Sequence, residues 1–157
     1  MAAVVVASDR CARGAAVDRS GPLAADLLRA AGLSVAQPVV VPDGEHAVRS
    51  AISAALATGA RLVITSGGTG VAPRDETPEA TRPLLSRELP GLAEGLRRRS
   101  ETTVPSAVLS RGLAGVTASG AVVVNLPGSP DGVEQGLAFV LPLLPHLLHQ
   151  LAGGDHA

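Results

Sequence analysis

At 157 residues the chain is the size of one domain, and a hydrophobic fraction of 46% against 17% charged residues lets it bury a core, which excludes intrinsic disorder. Its 13 basic and 14 acidic residues leave a formal charge of −1, too little excess to follow a nucleic acid backbone or hold an anionic membrane. All 13 basic residues are Arg, so Schiff-base and lysine chemistry are excluded, and a lone Phe139 without Trp or Tyr cannot stack bases.

Residues 3–7 (AVVVA) open the chain as a first strand, with no basic stretch ahead of them to suggest a signal peptide. Cys11 is alone, so no disulfide forms within the chain. A helical stripe of Leu23, Leu27, Leu28 and Ala31 follows, opened by Ser20 and Pro22 and closed by Gly32. Residues 39–41 are a second strand. Val48, Ile52, Ala55 and Leu56 form a second stripe, closed by Gly59, and residues 62–65 (LVIT) a third strand. Residues 77–88 and 90–101 are predicted as helices, each with a proline in its first turn. Within the second of these, Arg97, Arg98 and Arg99 read as a solvated face. Residues 121–124 (AVVV) are a further strand, and Val133 to Leu151 a long final helix bent at Pro142 and Pro145.

The strands are apolar on consecutive positions, the pattern of strands buried on both faces. Alternation of strand and helix predicts an α/β fold, a mainly parallel sheet covered by helices on both sides. One domain spanning residues 1–152 is expected, with residues 153–157 a loose tail. The most apolar stretch, 137–148, is shorter than the roughly 20 residues that span a bilayer, so a soluble, cytoplasmic setting is expected.

In open α/β sheets ligands bind beyond the carboxyl ends of the strands. There the third strand runs into Ser66-Gly67-Gly68-Thr69-Gly70, whose glycines let backbone N–H groups turn toward an anion while Ser66 and Thr69 add donors. The run is neither a Walker A loop nor a dinucleotide fingerprint, and a plain tight turn is the competing reading. Thr77-Pro78 reads as the cap of the next helix, leaving Asp75 free for a metal or a substrate. Asp43 either caps the helix beginning near Glu45 or joins Asp75, from a neighbouring strand, in a Mg²⁺ mount. Asn125-Leu126-Pro127-Gly128-Ser129-Pro130 ends the last strand, with Ser129 as N-cap and Pro130 as first helical residue. Ser8-Asp9-Arg10 and Asp18-Arg19-Ser20 suggest a second polar pocket alongside, and Ser110-Arg111 a possible anion contact.

Taken in order, Ser66 to Gly70, Arg74-Asp75-x-Thr77-Pro78-Glu79-Ala80, Leu109-Ser110-Arg111 and Asn125 to Pro130 closely resemble the Mog/MoaB family of molybdenum cofactor biosynthesis, which includes the gephyrin and plant Cnx G domains. The resemblance covers essentially the whole chain. It implies a three-layer α/β/α sandwich and a molybdopterin adenylyltransferase that converts ATP and molybdopterin into adenylylated molybdopterin and pyrophosphate with Mg²⁺. Asp43 and Asp75 match the family's essential aspartates. Ser66, Gly67, Gly68, Thr69, Gly70, Asn125, Pro127, Gly128 and Ser129 are then expected to bind nucleotide and phosphates, and Ser8, Asp9, Ser20 and Ser110 the pterin. A homotrimer, or a hexamer, and a downstream molybdate-insertion protein are further implications. The alternative is a non-catalytic molybdopterin-binding or scaffold protein of the MoaB type.

Overall fold

The computed structural model describes residues 1–154. The expected tail at 153–157 falls largely outside them. Six strands form one sheet: β1 (Ala2–Ala7), β2 (Val39–Val41), β3 (Leu62–Ser66), β4 (Leu85–Glu88), β5 (Ala114–Thr117) and β6 (Val122–Leu126), in the order β2-β1-β3-β6-β5-β4. The pairings β1 with β2, β1 with β3 and β3 with β6 are parallel, whereas β5 runs antiparallel to both β6 and β4. The helices are α1 (Asp9–Ala12), α2 (Ser20–Ala30), α3 (Glu45–Ala57), α4 (Thr77–Thr81), α5 (Pro90–Glu101), α6 (Pro130–Val140) and α7 (Leu144–Leu151).

Alternation along the strands builds a separate core on each face of the sheet. Val4, Val6, Leu62, Ile64, Val122 and Val124 pack with Leu28 of α2, Ala93 of α5, Val133 and Leu137 of α6, and Leu144 of α7. Val5, Ala7, Val63 and Val123 pack on the opposite face with Val48 and Ile52 of α3 and Ala80 of α4. Both sides of β1, β3 and β6 are therefore covered, which is why their sequences read as unbroken apolar runs. The result is the expected α/β/α sandwich.

Three expectations are corrected. β2 lies at the sheet edge, with Val39 51% exposed, because among the described residues no strand pairs with its outer side. The helix expected over 77–88 ends at Thr81, passes through a 3-10 turn at Arg82–Leu84 and becomes β4. Pro83 has no N–H to continue the helical ladder, and its ring clashes with the preceding turn. β5 was not anticipated as a strand; Gly115 lets β4 approach it, for a Cβ there would lie 2.6 Å from the Arg87 carbonyl oxygen. The long final helix divides into α6 and α7 around a 3-10 turn at Leu141–Leu143, which contains Pro142.

Candidate functional site

Parallel pairing brings the carboxyl ends of β1, β3 and β6 level, with Val6 opposite Ser66 and Ser66 opposite Leu126. The loops that follow interlock. The Gly67 N–H donates to the Leu126 carbonyl (3.1 Å) and the buried Ser66 hydroxyl to the Pro127 carbonyl (3.0 Å). Gly67 has φ 96°, and a Cβ on it would lie 2.3 Å from the Ala7 carbonyl oxygen, so only glycine fits.

The carbonyls of the glycine loop are all turned inward. Gly67 O accepts from the Thr77 hydroxyl (2.9 Å), Gly68 O from the Thr77 N–H (3.0 Å), Thr69 O from the Arg111 N–H (2.8 Å) and Gly70 O from Arg111 Nε (2.7 Å). Among the described residues no acceptor meets the N–H groups of Gly68, Thr69 and Gly70, nor those of Gly128 and Ser129 at the start of α6. Ser129 caps α6 as expected, its Oγ accepting from the Gly132 N–H (3.1 Å), with Pro130 first in the helix. Unpaired N–H groups beside a helix N-terminus favour an anion.

Two cavities meet along these loops. The larger, about 540 Å³, is lined by Thr69, Gly70, Ser110, Pro127, Ser129 and Gln135. The smaller, about 260 Å³, is lined by Ser8, Cys11, Asp18, Ser20, Ser66 and Gly128. Ser66 and Gly128 border one and Thr69, Gly70 and Ser129 the other, so the glycine loop and the turn before α6 form their common wall. Ser110 thus sits with the glycine loop and apart from Ser8 and Ser20, contrary to the expected grouping.

Other expected residues have different surroundings. Asn125 is buried and its amide is spent internally: Nδ2 donates to Thr65 and Thr81 hydroxyls (both 2.9 Å) and Oδ1 accepts from the Leu113 N–H (3.0 Å). Its side chain ties β3, α4 and β6 together and is not presented to a ligand. The Ser20 hydroxyl donates to Asp18 Oδ1 (3.0 Å), which also accepts the Ser20 and Gly21 N–H groups and so caps α2. Thr77 lies inside α4 and does not cap it. Arg97 donates to the carbonyls of Ser110 (3.3 Å) and Gly112 (3.2 Å), Arg98 pairs with Glu94, and Arg99 lies 5.0 Å from the Phe139 ring centroid.

The acidic residues are joined through Arg74. Asp43 Oδ2 accepts from the Asp9 N–H (2.8 Å), and the Asp43 N–H returns to Asp9 Oδ1 (3.3 Å). Arg74 Nε donates to Asp9 Oδ2 (2.7 Å), and the same guanidinium bonds the Asp43 carbonyl. These bonds hold the Asp9 carboxyl below its ordinary value and raise that of Arg74. Asp9 is therefore neutralised by a neighbour and not facing a pterin freely. Asp43 does not cap α3 either, since the Glu45 N–H donates to Glu76 Oε2 (2.9 Å). Asp75 Oδ2 accepts from the Ala72 N–H (3.0 Å). β1 separates β2 from β3, so Asp43 and Asp75 do not come from adjacent strands. Asp43 borders a third, open cavity with Glu45, His46 and Glu76, while Asp75 lines none of the three.

The donor chemistry still suits Mg²⁺. Among the described residues no donor reaches the second carboxylate oxygen of Asp43 or of Asp75, and Arg74 ties their loops together. Among the described residues no group of three or more His, Cys, Asp or Glu gathers into a full metal cage. One or two carboxylates, completed by substrate phosphates and water, are what Mg²⁺ takes.

Thr77 and Arg111 bond the carbonyls of the glycine loop and Glu79 bonds Arg111, contacts for which the sequence did not single these residues out; only the crowding of polar residues around Asp75 hinted at them. Residues 3–146 match the model of a family described as a probable molybdopterin binding domain. The chain belongs to this family of molybdenum cofactor biosynthesis proteins. It is 42% identical over 155 residues to the molybdenum cofactor biosynthesis bifunctional protein of Synechococcus elongatus, covering 99% of this chain and 48% of that protein. The chain thus spans about half the length of the bifunctional relatives it matches. It is 35% identical to a molybdopterin adenylyltransferase of Helicobacter pylori, covering 96% of this chain and 86% of that one. The solved Mog protein of Mycobacterium ulcerans superposes with a TM-score of 0.89 at 43% identity, covering 96% of this chain and 97% of that one. Among the described residues of this family member, no helix is long and apolar enough to cross a membrane.

Proposed function

We propose that this chain is a molybdopterin adenylyltransferase, which moves AMP from ATP to molybdopterin. A phosphate oxygen of molybdopterin attacks the α-phosphorus of ATP. The bond from that phosphorus to its bridging oxygen breaks, and pyrophosphate leaves with the electron pair. Since the attacking oxygen is already ionised near neutral pH, the step needs alignment and charge neutralisation more than a base. A chain without Lys, and with no histidine lining either of the two cavities, is adequate to that task.

The observation that carries the reading is the common wall. Two cavities lie on either side of loops whose N–H groups are unpaired, so two substrates can meet there phosphate to phosphate. In this proposal the nucleotide takes the larger cavity, against Thr69, Gly70, Ser110 and Ser129. The pterin takes the smaller, against Ser8 and Ser20. Asp43 and Asp75 would hold Mg²⁺, which when bound neutralises charge on the triphosphate. Assembly as a homotrimer belongs to the same proposal; exposed Val71, Val104 and Leu109 at the rim of the larger cavity are apolar surface that association would cover.

The test supplies Mg-ATP to the purified chain with and without molybdopterin. Pyrophosphate release that requires the pterin is expected. Pterin binding with no release would instead identify a non-catalytic molybdopterin-binding or scaffold protein. Asp75→Asn should lower turnover at least about 10-fold. Its melting temperature should not change, because the Asn oxygen still accepts from the Ala72 N–H. A wild-type rate in this variant would remove Asp75 from the reaction.

A further inference from the structure

We infer that Arg111 is a positioning residue, holding the glycine-loop N–H groups and Asp75 in one fixed relation to each other. The inference rests on the adenylyl-transfer reading, which gives those groups a common substrate.

One residue here bonds three backbone carbonyls of the site. The Arg111 N–H donates to Thr69 O (2.8 Å), Nε to Gly70 O (2.7 Å), and a terminal nitrogen to Asp75 O. An amide group is planar, so a carbonyl drawn inward turns the N–H of the next residue away from it. Bonds to Thr69 O and Gly70 O thereby orient the N–H groups of Gly70 and Val71. The third bond fastens the backbone of Asp75 to the same guanidinium.

The guanidinium is in turn held from the far side. Both of its terminal nitrogens bond the Glu79 carboxylate on α4, one of them at 3.3 Å. The pairing lowers the Glu79 carboxyl and raises Arg111. Thr77, on the same helix, secures Gly67 O and Gly68 O. Consequently α4 carries both ends of the support, Thr77 for the first half of the loop and Glu79, through Arg111, for the second. Gly70 and Asp75 are also in close approach, since a Cβ on Gly70 would lie 2.6 Å from Asp75 Oδ2. A loop displaced toward Asp75 at Gly70 would therefore crowd that carboxylate.

Lysine retains the charge but is a point donor on a flexible stem, without the fork that spans Gly70 O, Asp75 O and Glu79 together. The experiment compares wild type, Arg111→Lys and Glu79→Ala by calorimetric Mg-ATP binding and by steady-state kcat and KM, well below each melting temperature. Arg111→Lys should lower kcat about 10- to 100-fold and weaken Mg-ATP binding. Glu79→Ala, a change on an exposed side chain, should lower kcat about 3-fold with little change in melting temperature. Its kcat should fall further than its KM changes, which a purely stabilising residue would not produce. Wild-type kcat and affinity in Arg111→Lys would overturn the inference alone, and so would wild-type behaviour of Glu79→Ala should Arg111→Lys fail to fold. Absence of Mg-ATP binding by the wild type would overturn the adenylyl-transfer reading and this inference with it.

Discussion

The Arg111 guanidinium holds the Glu79 carboxyl below its ordinary value near 4.5, chiefly through their hydrogen bond. A depressed carboxyl stabilises the fold fully above its unfolded value and loses that contribution as pH falls through the folded value. The wild-type melting temperature should therefore drop more steeply between about pH 5 and pH 3 than that of Glu79→Ala. The Asp9 carboxyl, lowered by Arg74, is common to both proteins and does not enter the difference. Parallel curves would show that the pair has no weight in stability. Individual roles were legible where they are local: Ser129 and Pro130 open α6 because capping involves only neighbours in the chain. Asn125 was misread because its role depends on Thr65 and Thr81, distant in sequence, which surround its amide in the core. Arg111 was seen only as an anion contact for the same reason, the partners of its side chain lying 32 to 41 residues away.

At the scale of elements, the glycine loop is a turn whose backbone leaves no space for a side chain. Gly67→Ala places a Cβ against the Ala7 carbonyl at φ 96°. It should lower unfolding free energy by at least about 2 kcal/mol in a denaturant titration. An unchanged midpoint would mean that the loop rearranges freely and imposes no geometry on a ligand. Strands β1, β3 and β6 were visible as apolar runs, since burial on both faces leaves that trace in any sequence. β4 was not visible. Its Ser86, Arg87 and Glu88 are exposed, so its pairing with β5 leaves little apolar periodicity, and the preceding Thr77-Pro78 start continued the helical reading too far. Glu76 and Asp18 likewise bond helix-opening N–H groups that the reading had assigned to other residues.

Across the whole molecule, the parallel half of the sheet delivers three loops to one edge, and the antiparallel half, through β5 and its approach, delivers Ser110 and Arg111 to the same place. The motifs made the family and the three-layer architecture legible. They did not make legible that β1 lies between β2 and β3, because strand order is a property of long-range pairing; hence the two aspartates were expected from neighbouring strands, whereas β1 separates the strands that precede them. The account now turns on the wall between the cavities. The most direct measurement is an amide nitrogen–proton correlation spectrum of the isotope-labelled protein during titration with Mg-ATP. The resonances of Gly68, Thr69, Gly70, Gly128 and Ser129 should move together and saturate with the ligand. Saturable binding that leaves all five unmoved while resonances elsewhere shift would contradict it.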